Sequence, residues 1–295
     1  MPRVILDSGI AINYAEHGAG VPVVWIPGTG NSGRVWDGYQ LPDFTDRYRC
    51  ITIDNRGTGE SDSPDEPYTV ENMSRDVEGV VRALGLSDVA MVGFSLGSCI
   101  IQEIAIRSPE LVGKAVLLST WSSTPLEHHI RRHYEARLLA LQKAPREVFG
   151  AFAFWMWAPS FVDDEPERMA ELQDYFVGVS GSQPQHAYEQ HFRADISHDA
   201  LDRLPQIRCP TLVVHGAEDL ITLPRYNRRV AEAIPGAQLR EIDGGGHIAW
   251  GERPAEVNRA IREGSRANHA LCGDVFGARL REPPEYPSPA PRRTS

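Results

Sequence analysis

The sequence lacks the excess of basic residues that a nucleic-acid-binding protein needs. Lys and Arg number 30 against 40 Asp and Glu, which gives a formal net charge of −10 at pH 7. A protein that depends on many phosphate contacts carries the opposite balance, because each contact needs a lysine or an arginine. We therefore expect a small-molecule substrate and no nucleic-acid partner.

Long apolar runs are also missing. None approaches the roughly 20 residues that a membrane-spanning helix needs. The opening stretch, "MPRVILDSGIAINYAEHG", contains neither an uninterrupted apolar core nor a small-residue cleavage site, both of which a secretory signal requires. These absences predict no membrane partner and a cytoplasmic location. The sequence gives no indication of the oligomeric state.

Cysteine is scarce, and metal-ligand patterns are weak. The four cysteines are widely spaced without a CxxC pair, so we expect no disulfide framework; they are Cys50, Cys99, Cys209 and Cys272. His129 and His133 are i, i+4 neighbours, as two metal ligands on a helix would be. No third histidine or carboxylate is suitably spaced beside them. We expect a solvated helix face there, and neither a metal nor a cofactor.

Apolar strand-like segments alternate with helix-like segments along most of the chain. "PVVWIPG", "DVAMVGFS" and "CPTLVVHG" read as buried strands, whereas "VENMSRDVEGVVRALGL" repeats its apolar residues at helical spacing. Continuous apolar strands that alternate with helices are typical of a parallel sheet covered on both faces. The predicted fold class is α/β, with a mostly parallel central sheet, helices on both faces and an inserted helical lid.

Composition divides this chain into three parts. Residues 1–120 and 205–263 carry the strand–helix alternation and form the predicted sheet domain. Residues 121–204 are helical in pattern and rich in aromatics ("FGAFAFWMWAPSF"), and they are too long for a simple crossover. We interpret them as the lid. Residues 264–295 are dense in proline, and such a segment is expected to be a disordered tail without a chemical role.

The segment "GTGNSG" (28–33) matches the GxGxxG pattern of dinucleotide-binding proteins. It follows a strand, and Asp54 ends the next strand about 20 residues later, where that fingerprint places its acidic residue. Against this interpretation, "RVWDGYQLPDF" contains Gly38 and Pro42 and is a poor helix to receive a pyrophosphate. A nucleotide site would also leave the serine, aspartate and histidine described next without a role.

Gly93-Phe94-Ser95-Leu96-Gly97 lies between a predicted strand and a predicted helix. This GxSxG pattern is typical of a nucleophile elbow, a sharp turn that exposes the serine hydroxyl at a helix N-terminus. The free N–H groups and the helix dipole favour negative charge there. The alternative is a tight turn in which Ser95 only caps the helix.

Two later segments favour the chemical interpretation of Ser95. Asp219 ("GAED") and His247 ("GGGH") each follow a strand, so all three side chains are expected at the carboxyl edge of the sheet, where α/β proteins bind ligands. The chain order Ser, Asp, His also fits a triad at such an edge. Glu218 is a rival for the acid, but Asp219 matches the pattern better.

These segments together resemble the α/β-hydrolase family, in its branch of lidded serine hydrolases. The resemblance covers 4–263 and rests on "IPGTG", "DNRGTGES", "GFSLG", "GAED" and "GGGH". It implies that the glycines at 28–30 form an oxyanion loop, and that the backbone N–H groups of Thr29 and Leu96 are the oxyanion donors. Pro27 stands where the family usually has a histidine, so a side-chain contribution is lost at that position.

The resemblance implies a catalytic triad in which Ser95 attacks a carbonyl, His247 takes its proton and Asp219 orients the imidazole. The implied activity is cofactor-free hydrolysis of a small, largely apolar ester or lactone, as in enol-lactonases and carboxylesterases. The alternatives are a C–C bond hydrolase or perhydrolase with the same triad, and a non-hydrolytic enzyme or ligand receptor on this scaffold. We expect either Trp155 or Trp157 to line the substrate pocket from the lid.

Overall fold

A single eight-stranded sheet forms the centre of the protein in the computed structural model, which describes residues 2–143, 154–180 and 183–263. The strand order is β1-β2-β4-β3-β5-β6-β7-β8. The strands are β1 (Arg3–Ile5), β2 (Ala11–His17), β3 (Val21–Ile26), β4 (Tyr48–Ile53), β5 (Val89–Phe94), β6 (Val112–Leu118), β7 (Thr211–Gly216) and β8 (Gln238–Ile242).

The sheet is antiparallel only at its first edge. Strand β1 pairs antiparallel with β2, and β2 antiparallel with β4, whereas every pairing from β4 to β8 is parallel. All residues of β5 and of β7 are buried, as expected for strands covered on both faces. The parallel pairings bring the carboxyl ends of β3, β5, β6, β7 and β8 to one edge.

Helices connect the strands and cover the sheet. Helix α3 packs against β5 and β6, and the last helix packs against β7 and β8. The predicted α/β fold class is therefore confirmed. The helices are α1 (Leu41–Phe44), α2 (Val70–Ala83), α3 (Leu96–Arg107), α4 (His128–Lys143), α5 (Pro159–Asp164), α6 (Pro166–Ser180), α7 (Gln185–Ser197), α8 (Pro224–Ala233), α9 (Ala249–Glu252) and α10 (Pro254–Glu263).

Between β6 and β7 the chain forms α4 to α7, and we call residues 121–204 the helical insert. Its two ends meet: Ser123 and Asp199 form an antiparallel bridge, and the Ala200 N–H donates to the Ser122 carbonyl at 2.8 Å. Helix α4 packs against α7. The function of the insert as a lid stays a prediction, and the predicted tail, 264–295, lies outside the described residues.

No helix within the described ranges combines the length and the apolarity needed to cross a bilayer.

Cys50 and Cys99 are buried free thiols, and Cys209 is partly buried. Burial raises the pKa of Cys50 and of Cys209 to about 11, so both remain protonated at neutral pH. Cys272 lies outside the described residues.

Candidate active site

Ser95 occupies the single-residue turn between β5 and α3. Its φ of 52° and ψ of −119° place it in a region that residues other than glycine rarely adopt. The flanking glycines make this turn possible. A Cβ at Gly97 would lie 2.2 Å from the Ile26 carbonyl oxygen, and a Cβ at Gly93 would lie 2.4 Å from the Gly97 carbonyl oxygen. The Ser95 N–H donates to the Leu118 carbonyl at 2.9 Å, which ties the turn to β6.

The structure brings Ser95, His247 and Asp219 together. Ser95 Oγ lies 3.1 Å from His247 Nε2, and His247 Nδ1 lies 3.0 Å from Asp219 Oδ2. All three side chains are buried. Asp219 is itself fixed, because its Oδ1 accepts from the backbone N–H groups of Ile221 and Thr222 at 2.8 and 2.9 Å, and its Oδ2 accepts from the Thr222 hydroxyl at 2.6 Å. The chain of contacts from serine through imidazole to carboxylate is continuous.

Glu218, the rival acid, faces away from the histidine. Its carboxylate accepts from the Ser160 N–H at 2.9 Å and from the Ser160 hydroxyl at 2.5 Å. Ser160 belongs to α5 of the helical insert. The two adjacent acidic residues therefore have different partners: Asp219 contacts His247, and Glu218 contacts Ser160 of the insert.

We call residues 27–32, which follow β3, the β3 loop. Thr29 of this loop and Ser95 line the same small cavity. Leu96 is the first residue of α3, where a backbone N–H has no acceptor within its own helix. The two residues named as oxyanion donors thus lie beside Ser95: Thr29 lines the same cavity from the β3 loop, and Leu96 is the next residue in the sequence.

The same loop differs from a dinucleotide-binding turn. The residues after it form a four-residue 3₁₀ helix, Gly33–Trp36, and not the long helix that would receive a pyrophosphate. Asp54 is occupied within the fold. Its Oδ1 accepts from the Gly33 N–H at 2.7 Å, and its Oδ2 accepts from the Asn13 side chain at 2.7 Å and from the Glu60 N–H at 3.0 Å. Asp54 therefore stabilises the turn after β4 and the start of the 3₁₀ helix.

The cavity beside Ser95 is about 20 Å³, which is room for one water molecule. Residues of the sheet edge and of the helical insert line it together. They are Thr29, Asn31, Phe94, Ser95, Ile221 and His247 from the sheet domain, and Tyr134, Arg137, Met156 and Phe176 from the insert.

The two tryptophans predicted to compete for this pocket lie elsewhere. Trp155 is 42% exposed and Trp157 is buried, with its ring stacked on Phe161 at a centroid distance of 6.2 Å. Neither is among the residues that line the cavity, whereas Met156 between them is. The prediction assumed a regular helix, but Phe154–Met156 is a short 3₁₀ turn, and Met156 rather than Trp155 lines the cavity.

The expected solvated face of α4 is wrong for His133. His129 is exposed and its Nε2 contacts the Leu220 carbonyl at 2.7 Å, but His133 is buried between Tyr134 and Trp155. Burial, helped by the charge of Arg137, lowers the pKa of His133 to about 2, so this imidazole is neutral. Among the described residues, no three metal-ligating side chains form a cluster.

Residues of the insert that contribute to the site were not found from the sequence. Tyr134 and Arg137 lie one turn apart on α4, and both reach the cavity. Burial raises the pKa of Tyr134 well above its usual value, an effect that hydrogen bonding to Ser95 partly offsets. Burial also lowers the pKa of Arg137. Their i, i+3 spacing was the available signal, but it does not indicate which face of α4 looks toward the sheet.

Glu252 connects the insert to residues 243–248, the loop that contains His247. One of its carboxylate oxygens accepts from the Ala158 N–H at 2.7 Å, and the other accepts from the Gly246 N–H at 2.5 Å. The Met156 carbonyl in turn accepts from the His247 N–H at 3.0 Å. Burial raises the pKa of Glu252 to about 7, although both amide donors act to lower it. Glu252 therefore holds the residues before His247 against the cavity-lining turn of the insert.

Comparison with known proteins agrees with this arrangement. The model of the α/β-hydrolase fold matches residues 21–254. The chain belongs to the α/β-hydrolase fold family. The resemblance noted in the sequence is therefore confirmed at the level of the family, and relatives named as esterases and lactonases indicate a hydrolase of this fold.

Three relatives illustrate the range of the family around this chain. It is 31% identical over 258 residues to a protein provisionally named non-heme bromoperoxidase BpoC of Mycobacterium tuberculosis, with 85% of this chain and 96% of that protein covered. It is 30% identical over 263 residues to a provisionally named carbamate hydrolase RutD of Rhizobium rhizogenes, with coverage of 87% and 98%. The solved structure of Est816, an N-acyl homoserine lactone degrading enzyme, is 31% identical, with a TM-score of 0.75 and coverage of 89% and 99%.

Proposed function

We propose that the protein is a cofactor-free serine hydrolase that cleaves a small, largely apolar ester or lactone through an acyl-enzyme. The observation that carries this proposal is the 3.1 Å contact between Ser95 Oγ and His247 Nε2, with Asp219 at 3.0 Å on the other ring nitrogen. A nucleophile within hydrogen-bond reach of a base, itself oriented by a third group, is the arrangement that activates a serine.

In the proposed first half-reaction Ser95 Oγ attacks the carbonyl carbon of the substrate and its proton passes to His247 Nε2. The carbonyl oxygen becomes an oxyanion, which accepts hydrogen bonds from the N–H groups of Thr29 and Leu96. The tetrahedral adduct collapses when His247 returns the proton to the leaving alkoxide. Asp219 stabilises the positive imidazolium between these two proton transfers.

In the second half-reaction water replaces the alcohol. His247 removes a proton from the water, the resulting hydroxide attacks the acyl carbon, and the carboxylic acid leaves as Ser95 regains its proton. Four apolar side chains among the cavity residues support an apolar acyl group, namely Phe94, Met156, Phe176 and Ile221. The relative named as a lactone-degrading enzyme supports a lactone as readily as an open-chain ester.

A second candidate is perhydrolysis by the same residues. The relative named as a bromoperoxidase favours it. Hydrogen peroxide would then replace water as the acyl acceptor, and the acyl-enzyme would release a peracid instead of a carboxylic acid. The first half-reaction is identical, so the two candidates differ only in the acceptor.

The test is turnover of p-nitrophenyl esters from acetate to octanoate by wild type and by Ser95→Ala, with exposed Ser8→Ala as the matched control. We expect many turnovers in wild type and in Ser8→Ala, and a rate about 10⁵- to 10⁶-fold lower in Ser95→Ala. A fluorophosphonate should label Ser95 alone. A single burst in wild type would favour a receptor over an enzyme. Added peroxide tests the second candidate through the appearance of peracid.

A further inference from the structure

The helical insert contacts the β3 loop through Asp195. The Thr29 hydroxyl donates to Asp195 Oδ2 at 2.8 Å. Asp195 lies near the end of α7 and is completely buried, and its Oδ1 has no hydrogen-bond partner among the described residues. A carboxyl group that is buried with one oxygen unsatisfied lowers stability. Packing alone therefore does not explain why an aspartate occupies this buried position. The hydrogen bond from Thr29 is the contact that an apolar residue could not make.

Three further hydrogen bonds hold the adjoining residue, Gly30. Its N–H donates to His191 Nδ1 at 3.2 Å, and His191 Nε2 donates to the Arg56 carbonyl at 2.8 Å. The Gly30 carbonyl accepts from the Gln183 amide at 2.6 Å and from the Tyr188 hydroxyl at 3.3 Å. A Cβ on Gly30 would lie 2.3 Å from the Tyr188 ring. The insert thus contacts both the N–H and the carbonyl of Gly30, and it leaves no space for a side chain at that position.

These contacts matter because the β3 loop has no regular secondary structure of its own to fix Thr29. An oxyanion donor acts only if its N–H already points to where the charge will develop, and small displacements have large effects on rate. Within the loop, the Asn31 side chain donates to the Thr29 carbonyl at 3.2 Å. The partners of the Thr29 hydroxyl and of Gly30 come from α7 and from Gln183 just before it.

We infer that Asp195 is a positioning residue for the oxyanion hole: it holds the Thr29 hydroxyl and thereby orients the Thr29 N–H, so that the insert completes a site otherwise built on the sheet. The inference rests on the proposed function, because it assigns Thr29 the role of an oxyanion donor. Asp195 acts only through Thr29 and does not itself contact the reacting atoms.

The protonation state of Asp195 determines which variants test the idea. Burial raises the pKa of this carboxyl well above its usual value, and the Thr29 hydroxyl and the charge of Arg137 oppose the shift. A protonated carboxyl still offers one acceptor oxygen to Thr29. An asparagine offers the same oxygen, so Asp195→Asn is the conservative variant, and Asp195→Val keeps similar volume without an acceptor.

The experiment is a double-mutant cycle between Thr29→Val and Asp195→Val, with Thr29→Ser and Asp195→Asn as variants that keep the hydrogen bond. Each valine variant should lower kcat by about 10- to 100-fold with little change in KM. The double variant should be no worse than either single one, because all three lack the same bond. Thr29→Ser and Asp195→Asn should recover most of the loss.

Binding of a boronic acid supplies the readout that a structural role would not change. It forms a tetrahedral adduct on Ser95 with one oxygen in the oxyanion hole, so its inhibition constant should rise by the factor by which kcat/KM falls. Exposed Asp199→Asn, four residues from Asp195, is the matched control. Melting temperatures identify any variant that fails to fold, and Thr29→Val alone tests the bond if Asp195→Val does not fold.

Two results would overturn the inference while the hydrolase proposal stands. One is an inactive Ser95→Ala variant together with unchanged kcat in folded Thr29→Val. The other is a double variant whose loss equals the product of the two single losses. An active Ser95→Ala variant would instead refute the proposed function itself.

Discussion

The site has two halves that differ in how they are built. Ser95, Asp219 and His247 follow β5, β7 and β8. Ser95 and Asp219 are fixed by bonds within a few residues or to the neighbouring strand, whereas the His247 N–H donates to Met156 of the insert. The other half consists of insert residues such as Met156 and Asp195, which contact His247 and Thr29, respectively, across many tens of residues of sequence. The sheet half depends mainly on contacts between residues close in sequence or on adjacent strands. The insert half depends on contacts between residues far apart in sequence.

The difference separates two tasks. A strained turn and the ends of three parallel strands, β5, β7 and β8, can hold three polar side chains together, because parallel strands deliver their ends to one edge. What surrounds those groups depends on which face of each insert helix meets the sheet. We therefore expect changes in the sheet half to affect the rate of the chemical step, and changes in the insert half to affect selectivity, stability and fine positioning.

The largest effect should separate Glu218 from Asp219. Asp219→Asn removes the carboxylate from His247 and should lower kcat by about 10⁴-fold, since the imidazole loses its orienting charge. Glu218→Gln weakens only the contact with Ser160 of the insert, so its effect should be on stability. Ester turnover and urea unfolding measure both. Near-normal activity in Asp219→Asn with an inactive Glu218→Gln would reverse the assignment of the acid.

Three consecutive residues of the insert should respond in three ways. Trp157→Ala removes a buried indole and should lower the free energy of unfolding by about 3 to 5 kcal/mol. Met156→Ala enlarges the cavity and should shift the preference toward longer acyl chains. Trp155→Ala, at an exposed position, should change least. A chain-length profile of kcat/KM and urea unfolding check all three, and an unchanged profile in Met156→Ala would remove the insert from substrate selection.

Glu252 should make stability depend on pH in an unusual direction. Its pKa is about 7 in the folded protein and 4.5 in its ordinary state. Between these values the folded protein holds a proton that the unfolded chain has lost, so stability falls as the pH rises through this window. The change is about 3 kcal/mol, because each pKa unit corresponds to about 1.4 kcal/mol.

Glu252→Gln cannot ionise, and exposed Glu263→Gln serves as the matched control. Urea unfolding at pH 4.5 and pH 7.5 should show the stability of wild type falling by about 3 kcal/mol relative to Glu252→Gln over this interval. Equal changes in the two proteins would mean that Glu252 ionises normally in the fold.

The smallest effect should come from removing residues 264–295. Their proline-dense sequence cannot bury enough apolar surface to form part of a core, so deletion should leave both kcat/KM and the melting temperature unchanged. A large fall in the melting temperature of the shortened chain would show that this segment packs against the rest.

The sequence allowed the sheet and its strand-end residues to be predicted because the signals are short-range. The glycine pattern around Ser95, the apolar runs of the strands and the short motifs that contain Asp219 and His247 each span only a few positions. Met156 could not be identified, since the turn at Phe154–Met156 breaks the helical phase on which the choice between Trp155 and Trp157 depended. His133 was misjudged for a different reason: the charged neighbours along α4 suggest solvent, but the His133 ring packs against Tyr134 and Trp155.

The cavity of about 20 Å³ beside Ser95 has a consequence for measured affinities. The ester or lactone of the proposed function is larger than one water molecule, so we expect it to bind a conformation in which side chains such as Met156 and Phe176 have moved aside. The apparent dissociation constant is then the intrinsic one divided by the fraction of molecules in that conformation. A substitution that raises this fraction will tighten apparent binding, even at a position that never touches the substrate.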